Sequence, residues 1–232
     1  MKNSKIDESA SKVFSLSESC KKILYYLFNN VIRFAISNFL WFFISLLIPS
    51  IIIITGHTKL GMVILFILLP ITCSIHFIFT ASIIKLNKDV YKNSYIFKVF
   101  IISLIWITLF FFFIHNTAFY FFSITSNKIN LINSFFFFFS LWLTFSVFNF
   151  IIFVLPLCFK KMNILEILKA GISIYFYDVK KSILTSLFFS VITFLSFVFL
   201  FIFAMPILSL MIFFLFDSIT CKNEYFEKNI KA

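Results

Sequence analysis

"SILTSLFFSVITFLSFVFLFIFAMPILSLMIFFLF", Ser182 to Phe216, runs for 35 residues without a charged side chain. As one helix it would be about 52 Å long, against a hydrocarbon layer of about 30 Å, too long for a single span even when tilted. Proline in a helix interior removes a hydrogen bond and clashes with the preceding turn, so Met205-Pro206 is the natural break. Split there, the block supplies one full span and a shorter partner.

Four further blocks precede it: Phe34 to Ile54, Leu60 to Ile84, Val99 to Phe122 and Leu131 to Phe159. Each exceeds the roughly 20 residues needed to cross, and in lipid each must be helical because every backbone group has to be satisfied internally. Hydrophobic residues make up 62% of the chain and charged residues 12%, with a mean hydropathy of +1.07. A soluble domain carries about 25% charged residues, so the composition is that of an integral membrane protein.

The 40 Phe, with abundant Ile, Asn and Lys, reflect an AT-rich coding bias, and the run Phe135 to Phe139 reads as lipid-facing bulk. The net charge of +11 does not point to nucleic acid, because the basic residues cluster at the ends of apolar blocks. Cys20, Cys73, Cys158 and Cys221 lie far apart with no CxxC or Cys/His spacing, so neither a metal site nor a disulfide framework is expected. The first apolar block starts near Phe34 and lacks an A-x-A site, so a signal anchor is expected rather than a cleavable leader.

Charge placement sets the expected orientation. Lys2, Lys5, Lys12, Lys21, Lys22 and Arg33 precede the first block, and only Lys59 follows it. The next loop carries Lys85, Lys88, Lys92 and Lys98, and the one after only Lys128. Lys160, Lys161, Lys169, Lys180 and Lys181 surround the following polar stretch, and Lys222, Lys228 and Lys231 end the chain. This alternation places the N-terminus, both lysine-rich loops and the C-terminus in the cytoplasm. The expected fold class is all-α: a polytopic helical membrane bundle of about six spans, with five the alternative, and amphipathic interfacial helices. Residues 1–33 form a cytoplasmic polar tail and amphipathic helix, 34–221 the transmembrane domain and 222–232 a short polar tail.

Two stretches carry helical amphipathicity. Leu16, Cys20, Ile23, Leu24, Leu27 and Val31 fall on one face of the N-terminal helix, which suits it to lie at the bilayer surface. Between Lys160 and Lys181, Ile164, Leu165, Leu168, Ile172, Tyr175, Phe176 and Val179 share a face. This helix is either a plain connector at the inner leaflet or a docking element, with Leu165, Leu168, Ile172 and Phe176 as the candidate partner face.

No Asp or Glu lies within the first five spans, which weighs against a proton- or sodium-coupled carrier. The polar candidates are His76 and Asn149, about 13 and 16 Å from the inner boundary at 1.5 Å per residue, which suggests a hydrogen bond between spans two and four. His115-Asn116 lies nearer the outer face. Ser182, Ser186, Ser190 and Thr193, joined by Ser196, form a small polar seam that suits close helix packing or the lining of a polar path. No HExxH, GxSxG, P-loop or Rossmann fingerprint appears, so no catalytic residue, cofactor or metal is expected.

Three stretches together resemble the YesL-like family of bacterial membrane proteins. They are "ISNFLWFFISLLIPSIII" (Ile36 to Ile53), "SIIKLNKDVYKNSYIFKVF" (Ser82 to Phe100) and "FVLPLCFKKMNILEILKAGISIYFYDVKKSIL" (Phe153 to Leu184). Their order and spacing cover roughly Val31 to Thr220; the chain departs in its scarcity of Gly after the first span's Pro, where only Gly56 and Gly61 stand nearby. The resemblance implies an accessory component of carbohydrate uptake or utilisation and supplies no catalytic residues. A small-solute transporter or channel acting alone, and a structural membrane protein, are the other two readings. Membrane lipids and a transport complex are the expected partners.

Overall fold

The computed structural model describes residues 16–86, 91–126, 130–199 and 203–220. The expected polar N-terminal stretch, the loop lysines Lys88 and Lys128, Cys221 and the tail from 222 lie outside them. Nine α-helices are present among the described residues: α1 (Leu16–Asn29), α2 (Val31–Phe42), α3 (Ile48–Ile54), α4 (Thr58–Ile83), α5 (Asn93–Ser126), α6 (Leu131–Val154), α7 (Ile164–Tyr177), α8 (Val179–Phe199) and α9 (Ala204–Thr220). No strand occurs among the described residues.

Five segments are long and apolar enough to cross a bilayer: Val31–Ile54, Thr58–Ile83, Asn93–Ser126, Leu131–Phe159 and Val179–Ser196. Their outward surfaces carry exposed Phe112, Phe119, Phe135, Phe138 and Trp142, a distribution that only an apolar solvent tolerates. The chain is a multi-pass, all-α membrane protein. Ala204–Thr220, α9, is apolar but shorter than these five, so by length five spans are present among the described residues.

Local chemistry explains the element boundaries. In the first span a π-helical turn, Phe43–Leu47, precedes Pro49, whose ring would otherwise collide with the carbonyl four residues back. The Ser45 and Thr72 hydroxyls hydrogen-bond across to α4 at this turn. Gly56, at φ 91°, makes the tight return into α4 that a residue with a Cβ resists. Asn130 caps α6 by accepting from the Ile132 N–H at 3.1 Å. A capping box starts α7: Glu166 N–H donates to Asn163 Oδ1 at 2.9 Å, and Asn163 N–H donates to Glu166 Oε2 at 2.8 Å. Asp178 starts α8 by accepting from the Lys181 N–H at 3.1 Å, and that bond, with the Lys181 ammonium, holds its carboxyl below the usual carboxylate range.

The core is organised around α9. Every residue from Ala204 to Phe213 is buried, as are Leu215, Phe216, Ile219 and Thr220. It touches α1, α2, α4, α6 and α8, so other helices rather than lipid surround it. α9 begins at Ala204, one residue before the expected Met205-Pro206 break, which places Pro206 in its first turn where the missing N–H costs nothing.

α1 departs from the expected surface helix. Ser19, Ile23 and Leu27 are its buried stripe, whereas Leu24 and Val31 of the expected apolar face are exposed. Ser19 Oγ lies 2.7 Å from Ser218 Oγ, Tyr26 stacks on Phe214 at 5.4 Å, and Lys22 reaches Asp217 at 3.7 Å. The hydroxyls of Ser19 and Ser218 let α1 approach α9 closely, and the buried stripe combines Ser19 with Ile23 and Leu27 of the expected apolar face.

α5 and α6 form the most extensive helix pair. Trp106 Nε1 donates to the Val147 carbonyl at 3.0 Å, and Thr117 bridges Ser140 and Thr144 at 3.0 Å each. α7 then packs on the end of α6 through Ile167, Ala170, Gly171 and Ile174. A Cβ on Gly171 would lie 2.7 Å from Val154 Cγ2, so this glycine sets the distance between the two helices. Gly171→Ala is expected to lower thermal stability in detergent by about 1–3 kcal/mol through overpacking, and Val154→Ala in the same chain should restore most of it. Equal melting of wild type and Gly171→Ala would contradict this packing.

Candidate functional site

Three of the polar groupings between helices involve the expected site residues. The first joins α2, α4 and the start of α9. Asn38 Oδ1 accepts from the Met205 N–H at 3.0 Å, with both residues buried. One residue earlier, Ser37 Oγ shares a 2.8 Å hydrogen bond with His76 Nδ1. His76 is buried, and its Nε2 has no hydrogen-bond partner in the protein. Helix N-termini leave backbone donors unpaired, and in an apolar medium a side chain from a neighbouring helix must supply the acceptor. Asn38 does so here.

The second grouping joins α6 and α8. Ser190 Oγ donates to Asn149 Oδ1 at 3.1 Å, and Asn149 Nδ2 donates to the Phe145 carbonyl at 2.7 Å. Phe148 and Phe189 pack beside it at 5.3 Å. The expected His76–Asn149 bond does not form: His76 is turned towards α2 and Asn149 towards α8, each with its own partner. Similar depth along the membrane normal does not imply a shared face.

The third is the seam on α8. Ser182, Ser186, Thr193 and Ser196 are buried, Ser190 is half-buried, and Thr185 belongs with them. The hydroxyls of Ser182, Thr185, Ser186 and Thr193 have no hydrogen-bond partner in the protein. The seam therefore faces inward and admits close approach to α9, consistent with packing by small residues. His115, by contrast, is exposed on the outer surface of α5.

Between these groupings lies a cavity of about 610 Å³, walled by residues that include Trp41, Cys73, Trp106, Phe148, Thr193 and Met205. Its lining is almost wholly apolar. It holds Ser190 and Thr193 but neither His76 nor Asn149, so the polar candidates do not converge on one chamber. Among the described residues no three His, Cys, Asp or Glu side chains gather as a metal site would require.

At the lysine-rich end, where Lys98 Nζ donates to the Lys160 carbonyl at 3.0 Å, α7 turns part of its surface outward. Leu165, Ile172 and Phe176 are 68, 49 and 66% exposed. Leu168, grouped with them by periodicity, is instead half-buried and packed against the core. The face against α6 is the small-residue face, Ala170 and Gly171 flanked by Ile167 and Ile174.

Sequence reasoning missed Asn38, Ser37 and the Thr117–Ser140–Thr144 bridge. Asn38 is an amide in an apolar span, the same signal that singled out Asn149, and would have been found by it. The bridge carries no such signal, since hydroxyls in spans commonly bond only their own helix. Thr117 does both, donating to the Phe113 carbonyl at 2.8 Å.

No family model, no curated protein and no solved structure matches the chain.

Asn38→Leu should lower thermal stability by about 1–3 kcal/mol, the cost of leaving the buried Met205 N–H unpaired. Ser37→Ala should cost less, because it releases a side-chain partner and not a helix terminus. A smaller loss for Asn38→Leu than for Ser37→Ala would contradict the capping role.

Proposed function

We propose that the protein is a non-catalytic accessory subunit of the cytoplasmic membrane, docking a partner of a transport complex through α7. The observation that carries this reading is the exposed apolar surface of Leu165, Ile172 and Phe176, opposite the face that packs on α6. An apolar patch beside a basic membrane boundary suits either lipid headgroups or a partner, and a capped, rigidly seated helix suits a partner. The positive-inside pattern supports a cytoplasmic location for α7 and for the N-terminus. The likeness to YesL-like proteins makes a carbohydrate importer the first complex to test.

A self-sufficient carrier of polar solutes needs a water-reachable polar path through the bilayer. His76 and Asn149 are engaged in separate interhelical bonds, and the cavity between the helices is apolar. This distribution favours the accessory reading over the transporter one.

Leu165→Glu combined with Phe176→Glu should abolish co-purification with the transport complex while leaving membrane insertion and melting temperature unchanged. Leu168→Glu is a poorer probe, because it disturbs the packing of α7 itself. Unchanged recovery of the complex, or substrate uptake by the purified protein alone in liposomes, would defeat the proposal. Lys169→Cys should be labelled by a membrane-impermeant maleimide only in inside-out vesicles. Labelling in intact cells would reverse the orientation.

A further inference from the structure

The cavity between the first span, α4, α5, α6, α8 and α9 is unlike the rest of the bundle. Its volume of about 610 Å³ is some four times that of the ~150 Å³ apolar cavity that stays dry and takes up one benzene-sized molecule. Interiors are close-packed, so a space this large loses dispersion contacts on every wall unless something fills it. Water is a poor occupant, since an ordered water needs two to four polar partners and the lining offers few polar atoms.

The cavity also has a side entrance. α6 and α8 meet at the Asn149–Ser190 bond and the Phe148–Phe189 pair. Beyond that contact, Leu141 on α6 and Phe194 on α8 both line the cavity and are exposed on the outer surface. The mouth thus opens sideways, towards lipid. Counting from Lys160, Asn149 lies about 16 Å and Leu141 about 28 Å along α6. The opening therefore covers the half of a ~30 Å hydrocarbon layer farther from the lysine-rich end, where the acyl chains of that leaflet run.

We propose that this cavity is a binding site for one acyl chain of a membrane phospholipid, which enters between α6 and α8 with Leu141 and Phe194 as its gateposts. Ser190, whose hydroxyl is tied to Asn149 outside the cavity, lines its end nearer the lysine-rich side. Trp106, Phe148 and Leu208 supply the walls. A transmembrane helix of a partner, about 10–12 Å across, is too wide for a gap bounded by two helices already in contact at its base. The site is separate from the α7 surface, so the two proposals stand or fall independently.

The test uses the full-length protein in phosphatidylethanolamine–phosphatidylglycerol vesicles doped with phosphatidylglycerol carrying a mid-chain diazirine. After irradiation, peptide mapping by mass spectrometry should place adducts on the inner walls, at Trp106, Phe148 or Leu208, as well as on outward residues such as Phe138. Thr193→Phe fills the cavity and should remove the inner adducts while leaving those at Phe138. Leu208→Trp fills the same space from α9 and serves if Thr193→Phe fails to insert. Adducts confined to outward residues, or inner adducts unaffected by either variant, would overturn the proposal. So would cell-based crosslinking from Leu141 that captures a partner helix in place of lipid.

Discussion

The hydrogen bond from the Met205 N–H to Asn38 is the constraint on which the arrangement turns. α9 begins inside the bundle, where no water is available for its first backbone donors. A helix end buried in an apolar medium must be met by a side chain from elsewhere, and Pro206 reduces the demand by carrying no N–H. Satisfying it brings α2 against α9, and the adjacent Ser37–His76 bond brings α4 to the same point. At the other end, Ser19 meets Ser218 and the Phe214 carbonyl, so α1 and α2 together follow α9 along its length. Residues separated by 167 to 199 positions are thereby joined, and the first and last described helices of the chain become one unit.

The spans were legible because lipid imposes a length and a helical state on any long apolar run, and all four early blocks form helices at the expected positions. Even the short final helix is there, starting close to Pro206. The faces were much less legible. In water the apolar stripe of a helix is its core face, but in a bilayer the lipid-facing side is equally apolar. On α7 the periodic residues Leu165, Ile172 and Phe176 are exposed, as a face turned to lipid or a partner would be, but the period did not mark the face that packs on α6, Ala170 and Gly171. On α1, Ser19 joins Ile23 and Leu27 of the expected face in the buried stripe. Small residues and hydroxyls mark contact faces in such a protein, and bulk marks the surface. His76, Asn149 and most of the α8 seam are buried, but which of them meet depends on helix rotation, which depth along the axis does not determine.

A division of roles follows from this geometry. Three interior polar side chains hold helices together: Asn38 on α9, His76 on α2, Asn149 on α8, while the α8 hydroxyls of Ser182, Thr185, Ser186 and Thr193 have no partner in the protein. What is left unfilled is apolar: a chamber open to lipid between α6 and α8, and an outward strip on α7. Both present apolar surface, which supports the proposed association with hydrocarbon or with another protein.

The enclosure of α9 can be measured directly. Spin labels at Met211 on α9 and at Phe138 on α6, each in a reconstituted bilayer, report collision with oxygen dissolved in the hydrocarbon. Low oxygen accessibility at position 211 beside high accessibility at 138 is the expected result. Equal accessibility at the two positions would mean that α9 faces lipid like any other span, and the bundle described around it would be wrong.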